Sequence, residues 1–312
     1  MWPRNAAAPT GRPQDGNSRH AVDGRAGSWC HPPDASRLRG VTFKAGRTLG
    51  PGMELGLTDS VALVTAGSRG LGRASALALA REGADVAVCA RNAERLEAAR
   101  RDINDAAAGD VLAVQADITD PDDVDALLSE VTDDLGGLDH LVVSTGRPAD
   151  GPFAAATERD WYVGYDLLVM SLVWLARRAG PFLADGGGSL TAIASTEARE
   201  PVAGRVISST VRRAVPGLVK TLAREWAPAV RVNAVLPGPH DTPGLHDRVE
   251  AATAAGRYES VESGVEQLRG AVPLGRLGDP AALGDLVAVL ASDRAGFVTG
   301  ACVPVDGGTL RG

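Results

Sequence analysis

The sequence predicts a doubly wound α/β fold, a single domain built on one parallel sheet with helices on both faces, preceded by a disordered N-terminal extension. Three observations carry this expectation. Short apolar runs of strand length alternate along the chain with longer stretches of helical period. The first run, Val61 to Val64, breaks into a glycine-studded turn and then an alanine-rich helix with no linker between them. The length of 312 residues holds one α/β domain of about 250 residues and an extension.

Residues 1–52 contain eight glycines, six prolines and scattered arginines, with no helical or alternating apolar pattern. Such a segment buries too little apolar surface to offset the entropy of ordering it, so it is expected to be disordered. No apolar stretch of secretory-signal length is present, and the Gly and Pro content does not suit an amphipathic transit peptide. Met53 opens Met-Glu-Leu-Gly-Leu-Thr-Asp-Ser just ahead of the first strand. It is expected to be the natural start, with the domain spanning residues 53–312; N-terminal mass analysis of the native protein decides this.

The elements follow in order. Val61 to Val64 is the first strand and Arg73 to Arg81 its helix; Asp85 to Ala90 is a second buried strand, and Asn92 to Ala108 a helix completing a right-handed βαβ unit. After a third strand, Val111 to Ala116, Asp120 reads as an N-cap, with Pro121 at the first helical position and two carboxylates on the positive end of a helix reaching about Leu135. Leu138 to Val143 is the fourth strand, Tyr162 to Phe182 a long helix, Ser189 to Ala194 the fifth strand, Ile207 to Trp226 a second long helix, and Val230 to Val235 the sixth strand. Pro280 to Ala291 is the last helix and Ala301 to Val305 the last strand. From Asp241 to Gly270 the pattern lapses, and a stretch of this length predicts a lid over a site.

Composition narrows the function classes. Residues 1–52 hold eight basic and three acidic side chains, which leaves 24 basic against 36 acidic in the remainder, so nucleic acid is not an expected partner. No uninterrupted apolar run of about 18 residues is present to span a bilayer. Cys30, Cys89 and Cys302 lie far apart without ligand-like spacing, so neither a disulfide framework nor a metal site is expected, and a cytoplasmic location follows as the default. Only Lys44 and Lys220 are lysines among 32 basic residues, a bias that fits a GC-rich genome or a salt-loving host equally.

The turn after the first strand carries Gly67, Gly70 and Gly72. At a strand-to-helix junction such glycines let the backbone approach a pyrophosphate, which then sits on the unpaired N–H groups of the helix N-terminus. Taken alone they also fit a tight turn with no ligand. With the remaining motifs, however, Gly56 to Gly308 resembles the short-chain dehydrogenase/reductase family, whose Rossmann fold binds a nicotinamide dinucleotide. Thr65, Gly67, Ser68, Arg69, Gly70, Leu71 and Gly72 resemble the family's Thr-Gly-x-x-x-Gly-x-Gly, with Ala66 standing where the first glycine belongs. A methyl group there crowds the turn, and Gly67 is expected to restore some freedom.

The resemblance implies further roles. At the end of the second strand, where an NAD-preferring member carries an acid, this chain has Arg91; with Arg69 it would flank a 2′-phosphate, which favours NADP(H) over NAD(H), although two solvated arginines give the same pattern. Asp117, with Ile118, resembles the aspartate that contacts the adenine; a simple turn residue is the rival reading. Gly146 closes Val143-Ser144-Thr145-Gly146, where the family writes Asn-Asn-Ala-Gly. Pro237, Gly238 and Thr242 resemble the segment that receives the nicotinamide end, and Val305-Asp306-Gly307-Gly308 the C-terminal signature.

The family reduces a carbonyl with a serine, a tyrosine, a lysine and an asparagine that holds a relay water. Ser195 matches the serine; Ser208 stands at the tyrosine position, Arg212 at the lysine position and Leu168 at the asparagine position. No Tyr-x-x-x-Lys occurs, since the tyrosines are 162, 165 and 258. An aliphatic hydroxyl is a far weaker acid than a phenol, and an arginine does not shuttle protons, although it can hold ribose hydroxyls or an oxyanion. The Ser-x-x-x-Arg form resembles a divergent branch akin to 3-oxoacyl-carrier-protein reductases.

Three readings follow. One is an NADP(H)-dependent reductase of a small ketone or acyl thioester, its acid supplied by His240 or Tyr258, with an exposed loop histidine as the alternative for His240. The second is a catalytically silent nucleotide-binding subunit or sensor. In the third, Ser195 and Arg212 bind an anionic ligand without redox chemistry. The apolar faces of the two long helices fit a homodimer or homotetramer, or burial within one chain.

Overall fold

The computed structural model describes residues 55–311. The extension expected over residues 1–52, and the expected start at Met53, lie outside the described residues. The strands are β1 (Val61–Val64), β2 (Asp85–Ala90), β3 (Val111–Gln115), β4 (His140–Val143), β5 (Ser189–Ile193), β6 (Arg231–Pro237) and β7 (Cys302–Val305). The helices are α1 (Gly70–Arg81), α2 (Ala93–Asn104), α3 (Pro121–Leu135), α4 (Glu158–Tyr165), α5 (Ser171–Gly186), α6 (Val206–Val211), α7 (Ala214–Glu225), α8 (Pro243–Ala254), α9 (Val261–Gly270) and α10 (Pro280–Ala291).

The strands form one sheet in the order β3-β2-β1-β4-β5-β6-β7, every neighbouring pair parallel. This is the expected doubly wound Rossmann fold. Alternate strand residues feed two cores because side chains alternate across a pleated strand. Val61, Leu63, Ala87 and Cys89 pack with residues of α3, α5 and α7 on one face, whereas Ala62, Val64, Val86 and Val88 pack with α1, α2 and α10 on the other. The strand order reverses between β1 and β4, which opens a crevice beyond their carboxyl ends.

Three elements depart from the sequence expectation. The long helix starts at Glu158 and passes through a π-helical segment, Asp166–Met170, before continuing to Gly186. By length and composition this stretch could cross a membrane, with mean hydropathy 1.4, yet α5 buries Leu172, Leu175, Ala176, Ala179 and Leu183 in the core and so serves as a wall of the sheet. The expected helix Ile207 to Trp226 is two helices, broken at Arg212 and Arg213. Pro216 is the cause: it has no N–H to give the Arg212 carbonyl and its ring crowds that carbonyl, so Val215 N–H turns back to Arg212 O at 3.1 Å instead. Finally, the lapse at 241–270 is filled by α8 and α9, started by the side-chain caps Thr242 and Ser260.

Candidate active site

Thr65 ties the two sides of the crevice together. Its Oγ1 donates to Ser144 O at 2.6 Å and accepts from Ser144 N–H at 3.0 Å, joining the ends of β1 and β4. Ala66 takes up φ +47°, left-handed backbone that costs an L-residue about 1–2 kcal/mol. Gly67 does not share that burden, contrary to expectation: it faces β2, where a Cβ would lie 2.8 Å from Val88 Cγ1. Gly72 carries a harder constraint, since its Cβ would meet Ala66 O at 2.5 Å. Ser68 and Leu71 complete the turn, half-buried. No side chain caps α1 and no acid lies in its first turn, so the leading N–H groups at Gly70, Leu71 and Gly72 are left for a ligand with negative charge.

The flanking charges are engaged within the chain. Arg69 pairs with Asp247 of α8, and Arg91 faces Asp117 at 3.8 Å. Asp117 also accepts from Thr119 N–H and Oγ1, at 3.0 and 2.7 Å, which is the behaviour of a turn residue. Ile118 is buried in the core beside it.

On the other wall, Gly146 has only ordinary contact with Leu167, so its bare backbone is not required by packing. Gly238 is required, because a Cβ would stand 2.9 Å from Asp306 Cα where the segment after Pro237 meets the C-terminal turn. Thr242 caps α8, accepting from Leu245 N–H at 3.2 Å, and its side chain lies 3.8 Å from the Cβ position of Gly70. The start of α8 therefore rests on the glycine turn.

Ser208 and Arg212 meet on α6 and its C-terminal cap, and Arg212 also reaches the carbonyl of Ala194, the residue before Ser195. Arg212 is buried, donating Nε–H to Ser208 Oγ and Nη1–H to Ala194 O, both at 3.1 Å. Its Nη2 has no hydrogen-bond partner among the described residues. Burial lowers the guanidinium pKa from its usual value, Glu197 opposing and Arg205 reinforcing that shift, and the group stays cationic at neutral pH. Ser195 Oγ accepts from Glu197 N–H at 3.2 Å, which leaves its own proton free to donate. Leu168 is buried in the π segment and packs with Ile207 and Val211, an apolar setting with no side-chain group to hold a water.

His240 is buried, which corrects the alternative of an exposed loop histidine. It reaches Gly238 O through Nδ1 at 3.1 Å and packs its ring against Gly278, and burial lowers its pKa. Tyr258 packs its ring against Gly264 of α9. Cys89 is buried and its thiol is pushed up to about 12 by desolvation, so it is no nucleophile; Cys30 lies outside the described residues.

Sequence reasoning missed Glu197, Arg205 and Arg248. Glu197 is 5% exposed; one carboxylate oxygen holds Arg205 Nη1, and the other, Oε2, is buried without a partner. Nothing in the local pattern marks these residues, apart from Glu197 lying two positions after Ser195.

Known proteins share this fold. A family model described as enoyl-(acyl carrier protein) reductase matches residues 65–309. The chain is 34% identical over 253 residues to a 3-oxoacyl-[acyl-carrier-protein] reductase of Staphylococcus aureus, covering 79% of this chain and 96% of that protein. It is 35% identical over 258 residues to a 4-formylbenzenesulfonate dehydrogenase of Comamonas testosteroni, covering 81% and 99%. The structure of L-sorbose reductase from Gluconobacter frateurii, complexed with NADPH and L-sorbose, superposes with a TM-score of 0.79 at 31% identity, covering 83% of this chain and all of that one. With its parallel sheet, uncapped glycine turn and matching relatives, this chain is an oxidoreductase of the short-chain dehydrogenase/reductase family.

Proposed function

We propose that the chain is a cytoplasmic NADP(H)-dependent reductase of a carbonyl substrate, similar to 3-oxoacyl reductases, with a Ser-x-x-x-Arg active site. The observation that carries this reading is the turn at the crevice: α1 presents uncapped N–H groups, and Gly72 has no room for a side chain. The residues present therefore fit a dinucleotide. Arg69 and Arg91 would hold the 2′-phosphate in exchange for Asp247 and Asp117, Gly146 would allow close approach, and Pro237, Gly238 and Thr242 would line the nicotinamide end. The NADPH named in the L-sorbose reductase complex supports the same cofactor, and the anionic aldehyde named for the Comamonas relative supports a carbonyl substrate.

Bound there, a reduced nicotinamide supplies the hydride. Ser195 Oγ–H polarises the carbonyl oxygen, and Arg212 Nη2 stabilises the negative charge that develops on it or grips the ribose. Neither Ser208 nor Arg212 replaces a phenol, so the alkoxide takes its proton from water, at a cost of about 10²–10⁴ in rate against an enzyme with a positioned acid. The apolar outer face of α4 and α5, with Tyr162, Val163, Tyr165 and Phe182 exposed, would pair with a second copy in a homodimer or homotetramer.

NADPH titration followed by turnover on ketones, aldehydes and 3-oxoacyl thioesters tests the reading. We expect NADPH to bind at least tenfold tighter than NADH, with slow oxidation that Ser195→Ala abolishes. One observation favours a second reading, a nucleotide-binding subunit without turnover: Leu168 closes the proton relay. Tight NADPH binding with no oxidation on any substrate would establish it.

A further inference from the structure

The loops after β4 and β5 and the facing part of α8 concentrate positive charge in a chain of net charge −7. The loops after β4 and β5 are joined there, Gly151 N–H donating to Gly204 O at 2.8 Å and Val206 N–H to Gly151 O at 3.2 Å. Arg147, Asp150, Arg205 and Glu197 lie on or next to these loops, and the charges of all four act on Arg248. From α8, Arg248 enters the same group, partly buried. It makes no hydrogen bond or ion pair among the described residues, whereas Arg69, Arg73, Arg100, Arg178 and Arg269 each have a carboxylate. Arg257 lies against the same loop, its Nη2 3.2 Å from the Cβ position of Gly204.

Three guanidiniums, Arg147, Arg205 and Arg248, thus share this region with two carboxylates, Asp150 and Glu197. Burial and the neighbouring charges of Arg205 and Arg147 push the Arg248 pKa down to about 10, only partly relieved by Asp150 and Glu197. The group stays charged at neutral pH, and its repulsion by Arg147 and Arg205 is only partly offset by Asp150 and Glu197. An anion seated among them would relieve that repulsion, and a guanidinium fork matches a planar or tetrahedral oxyanion. Glu197 links the cluster to the reacting groups, since its backbone N–H donates to Ser195 Oγ and its carboxylate charge acts on both Arg212 and Arg248.

We propose that this cluster is the anion-recognition end of the substrate pocket, and that the carbonyl substrate carries a carboxylate or phosphate group held by Arg248 with Arg147 and Arg205 beside it. This rests on the reductase reading for its carbonyl half: hydride from NADPH and a proton from water convert the C=O to a hydroxyl, and the anionic group passes through unchanged.

The test pairs 4-formylbenzoate with its methyl ester, and levulinate with its methyl ester, as substrates with NADPH; 4-formylphenyl phosphate distinguishes the two anion types. The expected result is a kcat/KM ratio of anion to ester of about tenfold or more at low salt. That ratio should fall about tenfold or more in Arg248→Gln and be partly kept in Arg248→Lys. Arg147→Gln, on the exposed loop, should lower it several-fold and serves as the second variant where the first does not fold, as judged by circular dichroism. A ratio near one in the wild type, or one that neither glutamine variant changes, overturns the proposal. A binding arm separates this from failure of the reductase reading. If no compound oxidises NADPH, calorimetric titration of 4-formylbenzoate still decides: binding weakened about tenfold by Arg248→Gln supports the site, and absent or unaffected binding refutes it.

Discussion

At the scale of single residues, Ala66, Ser208 and Arg212 can be tested directly. Ala66 holds left-handed backbone at φ +47°, so Ala66→Gly removes about 1–2 kcal/mol of strain while adding about 0.5–1 kcal/mol of unfolded-state entropy. The expected outcome in urea unfolding is no loss and up to about 1.5 kcal/mol of gain; a clear destabilisation would contradict the strain. Ser208→Tyr combined with Arg212→Lys restores a phenol beside an ammonium, and kcat should rise at least about tenfold in rapid-mixing assays if Ser208 faces the carbonyl. His140 sets a pH dependence of its own. Burial lowers its pKa from 6.5 to about 4, so between those values the unfolded chain binds the proton and the native state does not. Stability is therefore full above about pH 6.5 and falls by roughly 2–3 kcal/mol on acidification to pH 4. His140→Gln should flatten that part of the profile in pH-dependent denaturation.

At the scale of elements, the break between α6 and α7 is what places Arg212. A continuous helix would hand the Arg212 carbonyl to residue 216; proline refuses it, and Arg212 stands at the end of α6 with its side chain on Ser208 and Ala194. Pro216→Ala is expected to lengthen the helix and weaken NADPH binding several-fold, read by fluorescence titration. Pro216 is the signal in the sequence that marks this break, because a proline inside a helix removes one N–H and crowds the carbonyl four residues before it. The helices α8 and α9 were hidden: α8 buries only Leu245 and Val249, and α9 only Gly264, so neither shows a full apolar stripe. Their caps, Thr242-Pro243 and Ser260, were the legible signal.

At the scale of the molecule, α8 bridges the two ends of the crevice, resting on the glycine turn through Thr242 and Arg69 and carrying Arg248 into the substrate side. The acidic surplus of the chain is thus interrupted where the reacting groups lie. The exposed aromatic and aliphatic side chains on α4 and α5 form the other surface feature, and light scattering after size exclusion is expected to give a dimer or tetramer. Tyr165→Glu, placing a charge on that face, should shift it toward monomer.

The sequence by itself determined the sheet, its order of elements, the glycine turn after β1 and the Ser-x-x-x-Arg spacing on α6. These are local matters, written in strand-length apolar runs, in glycines that packing forbids to change, and in fixed spacings along one helix. Tertiary structure alone decided the rest. That Arg69 meets Asp247, that Glu197 takes Arg205, and that Arg248 joins both loops depends on contacts between segments far apart in the chain. Charge pairing across such separations leaves no periodicity to read, because it is set by which loops the parallel sheet gathers at one edge.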